Sequence, residues 1–140
     1  MGQGLEAGVA FAVVLAWSKD GSCLDETAPV ARVLEKVDAY GAECTIELHR
    51  PECEFQVIMS GIGSPGFDDY LTILLAVKES MYQNPDAGSV GNDLLEIDSR
   101  FFGKHHGREP VWETNLQKFC EKYQLPYTEP KWFVWSHYTE

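Results

Sequence analysis

The residues best spaced for chemistry are Gly61-Ile62-Gly63-Ser64-Pro65-Gly66, which match the G-x-G-x-x-G spacing of dinucleotide-binding turns. In such turns glycines let backbone N–H groups approach a pyrophosphate at a helix N-terminus. The surroundings argue otherwise. Asp68 and Asp69 follow in what reads as the first helical turn, where they complement the helix dipole but repel phosphate. The preceding run reads as the second arm of a hairpin rather than the first strand of a parallel unit. A capped turn is the simpler reading, with Ser64 as N-cap and Pro65 at the first helical position.

Arg100, Lys104, His105, His106 and Arg108 form the only dense basic stretch. It suits an anion, and an adjacent histidine pair could supply a base or a metal ligand. Neighbours on one backbone seldom point at the same ion, and His49 and His137 stand at no recognised ligand spacing, so a solvated loop is the plainer reading. Together Gly61, Gly63, Ser64, Lys104, His105, His106 and Arg108 make up an alternative small-ligand site, either for a binding domain or for a modest enzyme. No metal or other cofactor is expected.

Cys44, His49 and Cys53 superficially resemble a zinc knuckle. An alternating strand over Glu43–His49 would put Cys44 and His49 on opposite faces and break that cluster. Nucleophilic chemistry at Cys53 needs nearby positive charge to lower its pKa. Arg50 is close, but Glu52 and Glu54 flank the thiol. Carboxylate pairs such as Asp68-Asp69 and Glu96/Asp98 arise by chance in so acidic a chain. No G-x-S-x-G, H-E-x-x-H or Walker-type loop is present.

The charge is the stronger clue. The 140 residues carry a net charge of −11. Residues 1–99 hold 17 acidic and five basic residues, and the remainder five acidic and six basic. Phosphate binding relies on Lys and Arg displacing counterions, so nucleic acid and anionic membranes are not expected partners. An acidic surface of this kind either solubilises or meets a basic partner. Glu47, Glu52 and Glu54 are the candidate contacts. Trp132 and Trp135 join them, because a strand with aromatics on both faces is either internal to a sheet or covered by a partner.

The elements that must position these residues follow from pattern. Gly8–Trp17 is apolar on both sides and reads as a central strand with both faces covered. Pro29–Tyr40 reads as an amphipathic helix with Val30, Val33, Leu34 and Val37 on one stripe, and Gly41 as its left-handed stop. Glu43–His49 and Glu54–Ser60 alternate as a hairpin, with Ile46 opposite Val57, Cys44 in the core and Cys53 exposed in the turn. Pro65–Tyr82 has Phe67, Tyr70, Leu71, Leu74, Val77 and Met81 at helical spacing. Leu94–Phe102 alternates again. A last helix carries Trp112, Leu116, Phe119, Cys120 and Tyr123, and a last strand covers Lys131–Tyr138.

This order predicts one α+β domain over residues 1–140. Residues 1–102 would form a ferredoxin-like βαββαβ sheet-and-helices sandwich, and residues 103–140 a helix-strand extension. The two-sided first strand needs its second face covered, by the extension or by a second copy, so a homodimer is expected. Ala7–Trp17 has the length of a signal-peptide core, but nothing basic precedes it and Glu6 stands there instead. The run is also too short to span a bilayer. Four cysteines show no C-x-x-C pair. The expected setting is reducing and cytoplasmic. The expected function is that of a non-enzymatic acidic binding protein, of inhibitor, immunity or adaptor type, engaging a basic protein partner.

Overall fold

A computed structural model describes residues 4–19, 29–60, 70–84, 105 and 107–139. Among these residues the element order is β1 (Gly4–Lys19), α1 (Pro29–Val37), α2 (Glu43–Leu48), β2 (Phe55–Ser60), β3 (Tyr70–Val77), a 3-10 turn (Lys78–Ser80), β4 (Tyr82–Asn84), α3 (Glu109–Tyr123) and β5 (Lys131–Thr139). The chain is α+β, with a five-stranded antiparallel sheet.

Strand β1 is the spine of that sheet. One edge pairs with β3 (Ala12 opposite Ala76, Trp17 opposite Thr72) and then with β4 (Val9 opposite Tyr82). The other edge pairs with β5, from Gly4 opposite Thr139 to Ala12 opposite Lys131. Strand β2 lies outside β3, with Val57 opposite Leu75. The expected central strand with two covered faces is therefore present. Cα atoms of β2 and β5 also come within 8 Å of each other, so the sheet is strongly curled.

A bulge between Val14 and Ala16 shifts the register of β1 and lets both Val13 and Ala16 face the larger core. That core holds Phe11, Val13, Phe55, Ile73 and Leu75 from the sheet. Val30, Val33 and Val37 join them from α1, Cys44 and Leu48 from α2, and Trp112, Leu116, Phe119 and Cys120 from α3. The second face buries Ala10, Ala12, Ile58, Leu74, Ala76 and Trp135. Its small alanines leave room for the curl.

Two expected elements are corrected. Glu43–Leu48 is helical, not a strand. Cys44, Ile46 and Leu48 alternate, but Cys44 and Leu48 are also four apart, which puts both on one face of a helix. Ile46 decides between the two, being 50 % exposed while Cys44 and Leu48 are buried. The hairpin pairing Ile46 with Val57 is therefore replaced by the β2–β3 ladder. Tyr70–Val77 is a strand, not part of a helix. Its apolar residues do recur at helical spacing, but Ile73, Leu75 and Ala76 fill the polar side that an amphipathic helix would need. A continuous apolar run belongs to a strand buried on both faces. Among the described residues the sequence of elements is thus β-α-α-β-β-β-α-β, which does not reproduce the split βαβ order. The expected strand Leu94–Phe102 and the segment Pro65–Asp69 lie outside the described residues.

The first helix keeps its valine stripe but ends at Val37, short of the expected Tyr40. Helix α1 buries Val30, Val33 and Val37, and Gly41 has φ +83°. Thr45 closes the C-terminal end of α1, its Oγ1 donating to the Lys36 carbonyl (3.0 Å) and accepting from Ala39 N–H (3.2 Å). Helix α3 ends at Gln124 in the left-handed conformation (φ 56°), with Leu125 N–H donating to the Cys120 carbonyl.

Candidate functional site

Glu47, on α2, is where that helix meets the end of α3. Lys122 at the end of α3 reaches it with an Nζ–Oε1 distance of 2.9 Å, and Tyr123 donates its hydroxyl to the same carboxylate oxygen. The Lys122 ammonium also sits 5.1 Å from the centre of the Tyr123 ring. The hydrogen bond from Tyr123, followed by that from Lys122, holds the Glu47 carboxyl below the usual carboxylate range. Burial first, and Glu47 second, push the Tyr123 phenol up. The hydrogen bond to Glu47 raises Lys122.

Two clefts share this carboxylate. One, of about 250 Å³, is lined by Glu47, Arg50, Glu52, Cys53, Glu54 and Phe55. The other, of about 370 Å³, is lined by Glu43, Ile46, Glu47, Arg50, Lys122 and Tyr123. The three carboxylates singled out by pattern, Glu47, Glu52 and Glu54, therefore border a single cleft, although α2 is helical. Two of them are engaged within the chain: Glu47 as above, and Glu54 as acceptor from Asn115 Nδ2 at 3.2 Å. Glu52 is exposed and has no ion pair with a described residue. Neither Asn115 nor Tyr123 was legible as a partner, because more than 60 residues separate each from the carboxylate it meets.

Trp135 is corrected from a surface contact to a core residue. It is 4 % exposed and packs on the second face above Gly8. Trp132 is half-buried on the larger core, edge-on to Phe11 at 5.6 Å and to Trp112 at 6.1 Å. The aromatics of β5 do lie on opposite faces, and the chain itself covers most of them. Val134 on that strand is 76 % exposed.

The basic stretch does not assemble among the described residues. His105 is buried against the Trp112 ring, with centroids 5.4 Å apart. Arg108 is exposed and paired with Glu79 at 3.0 Å. Lys104 and His106 lie outside the described residues, as do Gly61, Gly63 and Ser64. Cys44 and Cys120 are buried free thiols, and Cys53 is a half-buried one, where an exposed turn thiol was expected. Among the described residues no group of His, Cys, Asp and Glu is arranged to hold a metal ion. No helix there is long and apolar enough to cross a membrane. No family model, curated protein or solved structure matches this chain.

Proposed function

We propose that the chain is an acidic, non-enzymatic binding protein whose α2–β2 face engages a protein with a basic surface. The observation that carries this reading is the grouping of Glu47, Glu52 and Glu54 around one cleft, with Glu43 bordering the next. Arg50 and Lys122 offset part of that charge and leave the face net negative. Exposed Ile46 and half-buried Tyr123 add apolar area beside the carboxylates. A charged rim around partly apolar surface is the layout of a protein interface, and opposite charge on the partner would speed encounter.

A second copy of the chain is a further proposed partner. Trp17 and Val134 support it as large apolar side chains that are 62 % and 76 % exposed. The free thiols Cys44, Cys53 and Cys120 suit a reducing, cytoplasmic setting.

The test is a titration with a panel of small basic proteins at low and at physiological salt. Binding should weaken as salt rises, and changing Glu47, Glu52 and Glu54 together to glutamine should lower affinity and flatten the salt dependence. If neither affinity nor salt dependence changes, this face is not the interface. Native mass spectrometry of the purified chain reads out the second copy.

A further inference from the structure

One face of α2 carries a charge pattern that is complementary to itself. Glu43, Ile46, Glu47 and Arg50 stand at i, i+3, i+4 and i+7, the spacing that puts residues on a single helical stripe. Arg50 lies just past the helix, its N–H donating to the Glu47 carbonyl at 3.1 Å. All four border the cleft of about 370 Å³ together with Lys122 and Tyr123. Glu43 and Arg50 are exposed, and their side chains make no ion pair or hydrogen bond with a described residue. Between them Ile46 is 50 % exposed, and Tyr40 in the preceding turn is fully exposed.

We propose that a second copy of the chain docks here, α2 against α2 in antiparallel orientation about a two-fold axis. The docking rests on the second copy proposed above and gives that copy an interface. A two-fold axis brings residue i of one copy against residue j of the other, and j against i. Placed at the middle of the stripe, beside Ile46, it sets Glu43 opposite Arg50 of the second copy and Arg50 opposite Glu43 of the second copy. The seven-residue step from Glu43 to Arg50 spans about 10 Å of helix, the same in both copies, so the two pairs close together. Each is an arginine–carboxylate pair, the charge match with the best hydrogen-bond geometry. Ile46 meets Ile46 of the second copy at the axis, an apolar centre between two ion pairs.

Net charge selects this patch. Two chains of net charge −11 repel wherever acidic surface meets acidic surface. Around the 370 Å³ cleft the carboxylates of Glu43 and Glu47 are balanced by Arg50 and Lys122, so two copies approach there without net repulsion. Glu47, next to the axis, is neutralised within its own chain by Lys122 at 2.9 Å. Glu52 and Glu54 border the other cleft and take no part. A patch of this size suits a weak dimer, of the class that buries less than about 1,200 Å².

The test is sedimentation of the full chain at rising concentration, beside the variants Glu43→Arg and Arg50→Glu. Both positions are exposed, and circular dichroism checks that the fold is kept. Wild type should dimerise reversibly, and less as salt rises. Each variant alone sets like charges opposite one another and should weaken the dimer by about tenfold or more. Mixed in equal amounts, the two variants again join opposite charges at both ends, and a heterodimer should form. Variants that stay apart in the mixture would overturn the antiparallel pairing. A wild-type dimer that both variants leave unchanged would overturn this interface and move the contact to Trp17 or Val134, with the second copy still standing. A chain that stays monomeric up to millimolar concentration would overturn both. No basic protein is present, so the proposed basic partner is judged separately.

Discussion

Tyr123 donates its hydroxyl to the carboxylate of Glu47 across 76 positions of sequence, tying the end of α3 to α2. A hydrogen bond to a charged acceptor exceeds a neutral one, but the Glu47 side chain is 27 % exposed, which screens it. Tyr123→Phe should therefore cost about 1 kcal/mol near neutral pH, read from the urea midpoint.

The pH dependence of that cost has a definite sign. Glu47 is held below its ordinary value of 4.5, so its contribution is complete above that value and fades as pH falls through the lowered one. The gap between wild type and Tyr123→Phe should shrink on acidification across that window. Tyr123 is shifted up, so the protonated phenol favours the fold below its ordinary value of 10.0, and that contribution is lost as pH rises through the raised one. Denaturant curves across the acid limb check the first statement. A gap that stays constant in acid would show that Glu47 does not accept this hydrogen bond.

Ser80 repairs a break in the sheet. The β1 ladder with β3 ends at Ala12 and the ladder with β4 begins at Val9. Between them Phe11 N–H donates to Ser80 Oγ at 2.9 Å, and the Ser80 hydroxyl donates to the Val77 carbonyl at 2.7 Å. Ser80 is fully buried, so Ser80→Ala leaves the Phe11 N–H without a partner or water, at a cost of about 1–3 kcal/mol. The urea midpoint should fall, and exchange of the Phe11 amide proton should quicken. A midpoint unchanged from wild type would place the donor's partner elsewhere.

These two residues show how far pattern alone reaches. The two-sided apolar run of β1, the valine stripe of α1 and the aromatic spacing of α3 are local signals, and each became the element it suggested. Cys44, Ile46 and Leu48 fit period two and period four equally well. Only the docking of α1 through Thr45 and the exposure of Ile46 select the helix. Tyr70–Val77 carries a helical subset of apolar residues, but the apolar residues between them belong equally to a doubly buried strand. The acidic face was legible as composition. Its partners were not, since Asn115, Lys122 and Tyr123 reach it only through the packing of α3.

Gly8 is required by close approach rather than by backbone conformation. A Cβ placed there would lie 2.5 Å from the Tyr82 carbonyl oxygen and 2.7 Å from Trp135 Cζ2. The first of these is backbone of the paired strand, which cannot swing aside. Gly8→Ala should therefore destabilise by about 1–3 kcal/mol, as overpacking does. It should also shift the emission of Trp135, the ring above it. Thermal unfolding followed by tryptophan fluorescence reads both, and wild-type behaviour in both would mean that β4 and β5 do not flank β1 at this position.

Arg108 tests the anion-site alternative. Its guanidinium is paired with Glu79, and the two side chains are 51 % and 50 % exposed. An exposed ion pair contributes about 0–1 kcal/mol, so Arg108→Ala should leave the melting temperature nearly unchanged. A ligand that binds only the folded state raises that temperature in proportion to its occupancy. With Arg108 committed to a carboxylate, and His105 buried against Trp112, inorganic phosphate should give wild type and Arg108→Ala the same thermal shift. Glu79→Gln frees the guanidinium and serves as the positive control for a phosphate response. A shift present in wild type and abolished in Arg108→Ala would reverse the ranking and restore the basic stretch as a ligand site.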